Sequence, residues 1–348
     1  MLVCGGGSIK RNGVYAQVKK ALKRHHVTEF WGIEPNPLHE TCIKAVEVVR
    51  KKKIRFLLAV GGGSVLVATK YIATAAVYRG KDTWDILRTN GTNVKAALPL
   101  GSVLTLPATG SEANANSVIS RKATEEKLYF TSDHVYPVFS VLDPETTFSL
   151  PKKQVRNGIV DTFVHVMEQY MTYPASAHLQ DRFAEGILQT LIEIGPKTLA
   201  RTKDYDARAS FMWSATLALN NLIGCGVPQD WSTHMIGHEI TAFYGLDHAE
   251  TLAIVMPGVW MNQFKRKQAK LEQYGRRVLG VKTAKAAIAG TEKFFHAIGM
   301  PTRFGDHGIN AKEAAEKVKT RFAARKSVFG EYNDITPADV AAILLSRE

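Results

Sequence analysis

Three histidines stand close together near the middle of the second half of this sequence: His234, His238 and His248. His234 and His238 are four residues apart and share one face of a helix. His248 follows Gly245, and a glycine there predicts a bend that brings the chain back. Upstream, Asp161 and His165 repeat the four-residue spacing. A carboxylate combined with several imidazoles is a donor set for a divalent transition metal. Spacing alone leaves open which of these histidines would bind. Any one of them also reads as a polar residue on an ordinary helix face; the pairing of two such fragments is what points to a metal.

A second kind of chemistry lies in the first half. Leu2-Val3-Cys4 reads as the end of a buried strand, followed by Gly5-Gly6-Gly7-Ser8 and a helix over 14–23. Residues 54–60 read as a buried strand of the kind parallel sheets use, followed by Gly61-Gly62-Gly63-Ser64 and a helix over 65–78. A strand, a glycine-rich turn and a helix start let bare backbone N–H groups approach a phosphate. Ser8 adds a hydroxyl, and Lys10 and Arg11 add charge. The second unit is the stronger candidate for a pyrophosphate. Neither run is the G-x-G-x-x-G fingerprint. A third strand, 97–106, ends in a hydroxyl-rich turn, Pro107-Ala108-Thr109-Gly110-Ser111-Glu112.

The elements that must carry these residues divide at Pro151. Before it, further strands are expected at 27–33 and 138–143, a helix at 39–53, and a hairpin from 118–120 with 127–130. Strands alternating with helices predict an α/β, Rossmann-like domain with a mainly parallel sheet over 1–151. After it, apolar spacing predicts helices at 154–170, 180–198, 205–222, 234–243, 251–264, 268–279, 283–298, 311–324 and 337–346, with Asn310 and Thr336 as N-caps. Residues 152–348 therefore read as an all-helical domain.

Composition sets limits. The chain has 348 residues, 45% hydrophobic and 22% charged, a size suited to two domains. No apolar run approaches the length of a membrane span, and the start, Met1-Leu2-Val3-Cys4, lacks the form of a signal peptide. Three scattered cysteines, Cys4, Cys42 and Cys225, make no zinc or disulfide spacing and predict a reducing, cytoplasmic setting. The net charge of +13 is dispersed over helix ends and exposed faces, without an aromatic-plus-basic recognition motif. Nucleic acid is therefore not expected as a partner; a small anionic ligand is.

The run Leu58-Ala59-Val60-Gly61-Gly62-Gly63-Ser64, the turn from Leu106 to Glu112, the pair Asp161 and His165, and His234, His238 and His248 together resemble the iron-containing (group III) alcohol dehydrogenases. Within that family the chain is most similar to the NADPH-dependent aldehyde reductase, or butanol dehydrogenase, branch. Val227-Pro228-Gln229-Asp230-Trp231-Ser232-Thr233-His234 and Gly245-Leu246-Asp247-His248 carry that finer likeness. The resemblance spans nearly the whole chain. It implies the dehydroquinate synthase-like fold, a Rossmann-like domain followed by an all-α domain. It also implies hydride transfer between NADP(H) and short- to medium-chain aldehydes or primary alcohols.

The same resemblance implies one divalent metal, Fe(II) or Zn(II), on Asp161, His165, His234 and His248, with His238 as a proton relay. It places Gly62, Gly63 and Ser64 at the pyrophosphate, Thr105, Thr109 and Asn114 along the nicotinamide half, and Lys127 near the cofactor. Gly6, Gly7, Ser8 and Lys10 form a first loop without an acid, which favours the extra phosphate of NADP over NAD. A homodimer is the expected assembly. Two departures are visible: Val67 stands where the family has an aspartate, and the family's strand segment ahead of the first glycine loop is not seen before Leu2. They keep two alternatives in view, a cofactor- or metal-binding relative with impaired turnover and an NAD-linked, glycerol-type polyol dehydrogenase.

Overall fold

Short apolar runs without charges make the sheet of the first half. In the computed structural model, which describes residues 1–348, the chain forms two units, Met1–Pro151 and Lys152–Glu348. The first unit contains β1 (Leu2–Cys4), α1 (Ser8–Arg11), α2 (Val14–Ala21), β2 (Glu29–Phe30), α3 (His39–Lys51), β3 (Leu57–Gly62), α4 (Gly63–Val77), α5 (Asp85–Arg88), β4 (Leu100–Leu106), β5 (Asn116–Arg121), β6 (Glu126–Thr131) and β7 (Ser140–Leu142). Five strands form one sheet in the order β2-β1-β3-β4-β7, with every neighbouring pair parallel. The hairpin β5–β6 is antiparallel and separate. This is the α/β architecture expected of the first half. β1 lies inside the sheet, paired with β2 on one side and β3 on the other, so the sheet edges are β2 and β7.

Several strands are shorter than their apolar runs. β2 keeps only Glu29 and Phe30 of the expected 27–33, because Gly32 turns to a φ of 96°. The segment is still tied to β1: Gly32 N–H donates to Gly5 O at 3.3 Å and Ile33 N–H to Cys4 O at 3.1 Å. β3 starts at Leu57 rather than Ile54, after Lys53 takes a φ of 50°. α4 is the most buried helix of this unit, closed in on almost every side from Val65 to Ala75.

The second unit is helical throughout: α6 (Lys152–Tyr170), α7 (His178–Ala200), α8 (Tyr205–Ala218), α9 (Ser232–Tyr244), α10 (His248–Asn262), α11 (Phe264–Tyr274), α12 (Ala284–Ala297), α13 (Ala311–Ala324) and α14 (Pro337–Leu345). α8 ends four residues before the expected boundary, where Leu219 leaves helical geometry and Asn221 adopts a φ of 73°. A wide turn over Gly275–Leu279 follows α11. α6 runs through the interior, with Asn157 to Tyr170 buried on all sides. On α9, Ile236 and Ile240 face a core built with Ile254, Val255 and Val259 of α10, Val318 and Phe322 of α13, and Ile343 and Leu344 of α14. His234 and His238 are offset from these isoleucines by two residues, which places them on the opposite side of the helix. No helix is long and apolar enough to cross a membrane.

Candidate active site

The five site residues expected in the second unit come from three helices. Asp161 and His165 lie one turn apart on α6, His234 and His238 one turn apart on α9, and His248 is the first residue of α10. Two glycines let α9 and α10 meet. Gly245 ends α9 with a φ of 70°, a left-handed turn that reverses the chain. At Gly237 a Cβ would stand 2.9 Å from Thr251 Oγ1 and 3.2 Å from a Leu252 methyl, so any larger residue would push α10 away. The start of α10 is fixed by a capping box in which Asp247 and Glu250 bond each other's backbone N–H groups. Asn157 of α6 donates to Asp247 Oδ2 at 2.9 Å, and Lys153 pairs with the same oxygen at 2.9 Å. These bonds anchor His248 to the helix that carries Asp161.

The result is a convergence on one oxygen. Asp161 Oδ1 lies 3.7 Å from His165 Nδ1, 4.0 Å from His234 Nε2 and 3.8 Å from His248 Nε2. These separations exceed hydrogen-bond lengths. They approach the roughly 3.4 Å between neighbouring ligands of a tetrahedral site with bonds of about 2.1 Å. Ligand atoms of Asp161, His234 and His248 all lie within 4.8 Å of one another. Asp161, His234 and His248 therefore fit a divalent metal in both spacing and donor chemistry, carboxylate and imidazole without thiolate, with His165 beside them at 3.7 Å from Asp161. Asp161, His165 and His234 are buried, whereas the His248 side chain is 23% exposed, so solvent reaches the cluster on that side. Trp231 closes another side, with its ring 5.2 Å from that of His234 and 6.3 Å from that of His165. The His238 ring lies 5.2 Å from that of His248 and 6.4 Å from that of His234, beside the cluster.

Behind His234 stands a residue that the sequence reading did not single out. Glu168 Oε1 accepts the His234 backbone N–H at 3.1 Å and meets His234 Nδ1 at 3.2 Å. A carboxylate there sets the tautomer that leaves Nε2 available toward Asp161. Burial, reinforced by the Asp230 charge, pushes Glu168 well above the usual carboxylate range, against the opposing pull of Thr233, the His234 N–H and Lys267. Asp230 receives Ser232 N–H at 2.9 Å and pairs with the buried Lys267 at 2.9 Å. Lys267 also donates to Met171 O and pairs with Glu331. Burial opposes its charge, but Asp230 and Glu331 hold it above the ordinary lysine value. A signal for Glu168 was present: it lies three residues after His165 and seven after Asp161, on the same helical face.

In the first unit, the glycine loops sit at the carboxyl ends of adjacent strands. Gly7 has a φ of 98° and leads into α1; Gly6, Ser8 and Lys10 are exposed. At the second loop, β3 runs straight into α4. A Cβ on Gly63 would lie 2.6 Å from Thr109 Oγ1 and Cγ2, and one on Gly62 would lie 2.9 Å from Leu106 Cβ. Gly62 and Ser64 are half-buried at this helix start, where backbone N–H groups are free of intrahelical partners. Thr105 is buried on β4 and Thr109 half-buried in the turn after it.

Asn114 is held within its own turn. Its amide nitrogen donates to Thr109 O at 3.2 Å and Gly110 O at 2.8 Å, while its oxygen accepts from Asn116 N–H at 2.9 Å and Lys70 at 3.1 Å. With all four positions used and the residue buried, its side chain shapes the turn. Lys70 also donates to the carbonyls of Asn114 and Asn116, and burial lowers it to about 7. Lys127 bonds Asn36 Oδ1 at 3.0 Å, and Val67 is buried on α4.

The sequence matches the family described as iron-containing alcohol dehydrogenase over residues 1–144, and the C-terminal part of the Fe-containing alcohol dehydrogenase family over 156–347. It is 54% identical to the NADPH-dependent aldehyde reductase YqhD of Escherichia coli, covering 97% of this chain and 89% of that protein. It is 46% identical to the NADP-dependent alcohol dehydrogenase 3 of Entamoeba histolytica, covering 96% and 87%. The crystal structure of Escherichia coli YqhD superposes with a TM-score of 0.98 at 52% identity, covering 100% of this chain and 91% of that one. The NADH-dependent butanol dehydrogenase A of Thermotoga maritima superposes at 0.95 with 33% identity, covering 99% and 90%.

Proposed function

The chain belongs to the iron-containing alcohol dehydrogenase family, and from that premise we propose that it interconverts short- to medium-chain aldehydes and primary alcohols with NADP(H) at a divalent metal. The observation that carries this reading is the convergence of three imidazole nitrogens on Asp161 Oδ1. Asp161, His165, His234 and His248 hold the metal, which is Fe(II) or Zn(II), both suited to these donors. When bound, the metal supplies Lewis-acid polarisation of a carbonyl, worth several kcal/mol, and NADPH supplies the hydride.

The protein's own groups do the rest. Asp161 offsets part of the cation's charge, which three neutral imidazoles could not. Glu168 orients His234. His238, beside His248 in the cluster, exchanges a proton with the product oxygen, directly or through water. Gly62, Gly63 and Ser64 bind the pyrophosphate at the start of α4. Gly6, Gly7, Ser8 and Lys10 receive the 2′-phosphate of the adenosine. Thr105 and Thr109 border the nicotinamide half on the turn that Asn114 holds, and Lys127 lies near the cofactor. The protein acts as a homodimer, the commonest closed assembly, in the cytoplasm, in keeping with its three free cysteines.

A steady-state assay of the metal-loaded protein with butanal tests this reading. Oxidation of NADPH in clear preference to NADH is expected. NADPH binding without oxidation overturns the enzyme reading, and a preference for NADH with glycerol as the better substrate replaces it with the polyol reaction.

A further inference from the structure

Dinucleotide folds place an acid on the strand after the first glycine loop, roughly 20 residues on, where it accepts the adenosine ribose hydroxyls of NAD. Such an acid repels a 2′-phosphate. Glu29 is the acid at that sequence distance here: it opens β2, the parallel neighbour of β1, level with Leu2 and so below the carboxyl end that leads into Gly5–Ser8. Its carboxylate is already engaged. Tyr15 Oη donates to Oε1 at 2.9 Å, Lys19 Nζ donates to the same oxygen at 2.8 Å, and Trp31 Nε1 donates to Oε2 at 2.9 Å. The Lys19 bond leads in holding Glu29 down at about 2, with Trp31 and Tyr15 adding to it against partial burial. Its charge is thus fixed and also neutralised by Lys19.

The same aromatic pair also carries a cation. Lys10 Nζ lies 4.1 Å from the Trp31 ring centroid and 5.6 Å from that of Tyr15, and the two rings meet edge to face at 5.3 Å. Lys10 is on α1, the first turn after the loop. Trp31 is held beside that loop because Gly32 and Ile33 donate to Gly5 O and Cys4 O. A lysine on an exposed short helix would otherwise sample many rotamers, each a loss of entropy on binding.

We propose that Trp31, Tyr15, Lys19 and Glu29 form a device that sets the choice of NADP(H) over NAD(H): Trp31 positions Lys10 for the 2′-phosphate, and Lys19, Tyr15 and Trp31 withdraw Glu29 from the ribose. Trp31 and Lys19 are positioning residues; Lys10 is the one that touches the ligand. The proposal rests on the NADP reading above, and deepens it by naming what makes the loop selective.

The test measures dissociation constants of NADPH and NADH by cofactor fluorescence on the metal-loaded, full-length protein. Trp31→Leu is expected to lower the NADPH preference by about five- to thirtyfold, mostly by weakening NADPH, while NADH binding stays intact and reports a folded site. Trp31→Phe, which keeps a ring under Lys10, should retain most of the preference. Lys10→Met should lower it at least as far, and the double variant Lys10→Met with Trp31→Leu should go little further, because Trp31 acts through Lys10. Lys19→Met, which leaves Glu29 charged and unneutralised, should weaken NADPH more than NADH. An unchanged NADPH-to-NADH ratio in Trp31→Leu, or full additivity in the double variant, overturns the proposal while leaving the NADP reading intact. A parent protein without NADPH preference removes both.

Discussion

Replacing Glu168 by glutamine separates two roles that most substitutions near a metal centre confound. Glu168 is 4% exposed, and burial together with Asp230 disfavours its charge. An isosteric neutral amide relieves that penalty and still offers an oxygen to the His234 backbone N–H. A well-fitting neutral group in place of a carboxyl whose charge is disfavoured carries no such penalty, so the metal-free protein should keep or gain stability. The metal site should respond in the opposite direction. The carboxylate facing His234 Nδ1 at 3.2 Å fixes the ring and makes Nε2 a better donor, and loss of such an outer partner typically costs 10–100-fold in metal affinity. Glu168→Ala should lose both, since it also leaves the buried His234 N–H without its acceptor, at about 1–3 kcal/mol. Urea unfolding of the metal-free proteins gives the first quantity and chelator competition with Zn(II) gives the second. If Glu168→Gln binds metal within twofold of the parent, the outer carboxylate does not orient His234 and the reasoning fails.

Two further predictions concern the first unit. Gly63→Ala places a methyl 2.6 Å from the Thr109 side chain and should destabilise by about 1–3 kcal/mol while weakening NADPH binding; Thr109→Ala in the same chain should recover much of the stability in a double-mutant cycle, and absence of coupling would show that the close approach is not the constraint. Lys70, lowered to about 7 by burial, releases its proton in the folded protein well before the unfolded chain does near about 10.4. Between those values the unfolded state binds more protons, so stability should rise with pH, by at most about 1.4 kcal/mol per unit, and level off below about 7. Lys70→Met should abolish that slope in unfolding curves taken across the range, and an unchanged slope would assign it to other groups.

The α/β first half and helical second half were legible because each depends on local patterns. Charge-free runs ending in glycines marked β3 and β4, and apolar residues at helical spacing marked α6 through α14. Boundaries were less legible where the signal lay in backbone conformation: Gly32, Lys53 and Asn221 end or delay elements by adopting positive φ, which side-chain pattern does not encode. At the site, spacing within each helix pointed to Asp161 with His165 and to His234 with His238, but how near the three helices come depends on Gly237 and on the Asp247 capping box. The box was readable as Asp247-x-x-Glu250 and would have started α10 at His248 rather than at Thr251. Lys70 was visible as a lone charge within an apolar helix. The bond from Lys70 to Asn114 was not legible, because only the fold brings α4 to that turn. The engagement of Glu29 was invisible for the same reason, since Tyr15, Lys19 and Trp31 meet it only after β2 pairs with β1.

The central claim is that Asp161, His165, His234 and His248 hold a metal on which NADPH-dependent aldehyde reduction depends. Metal analysis of the parent and of His234→Ala, paired with NADPH oxidation by butanal and with NADPH affinity, tests it most directly. One metal per chain is expected in the parent, and in the variant a loss of metal and of turnover with NADPH still bound. A variant that keeps its metal and its rate would contradict it.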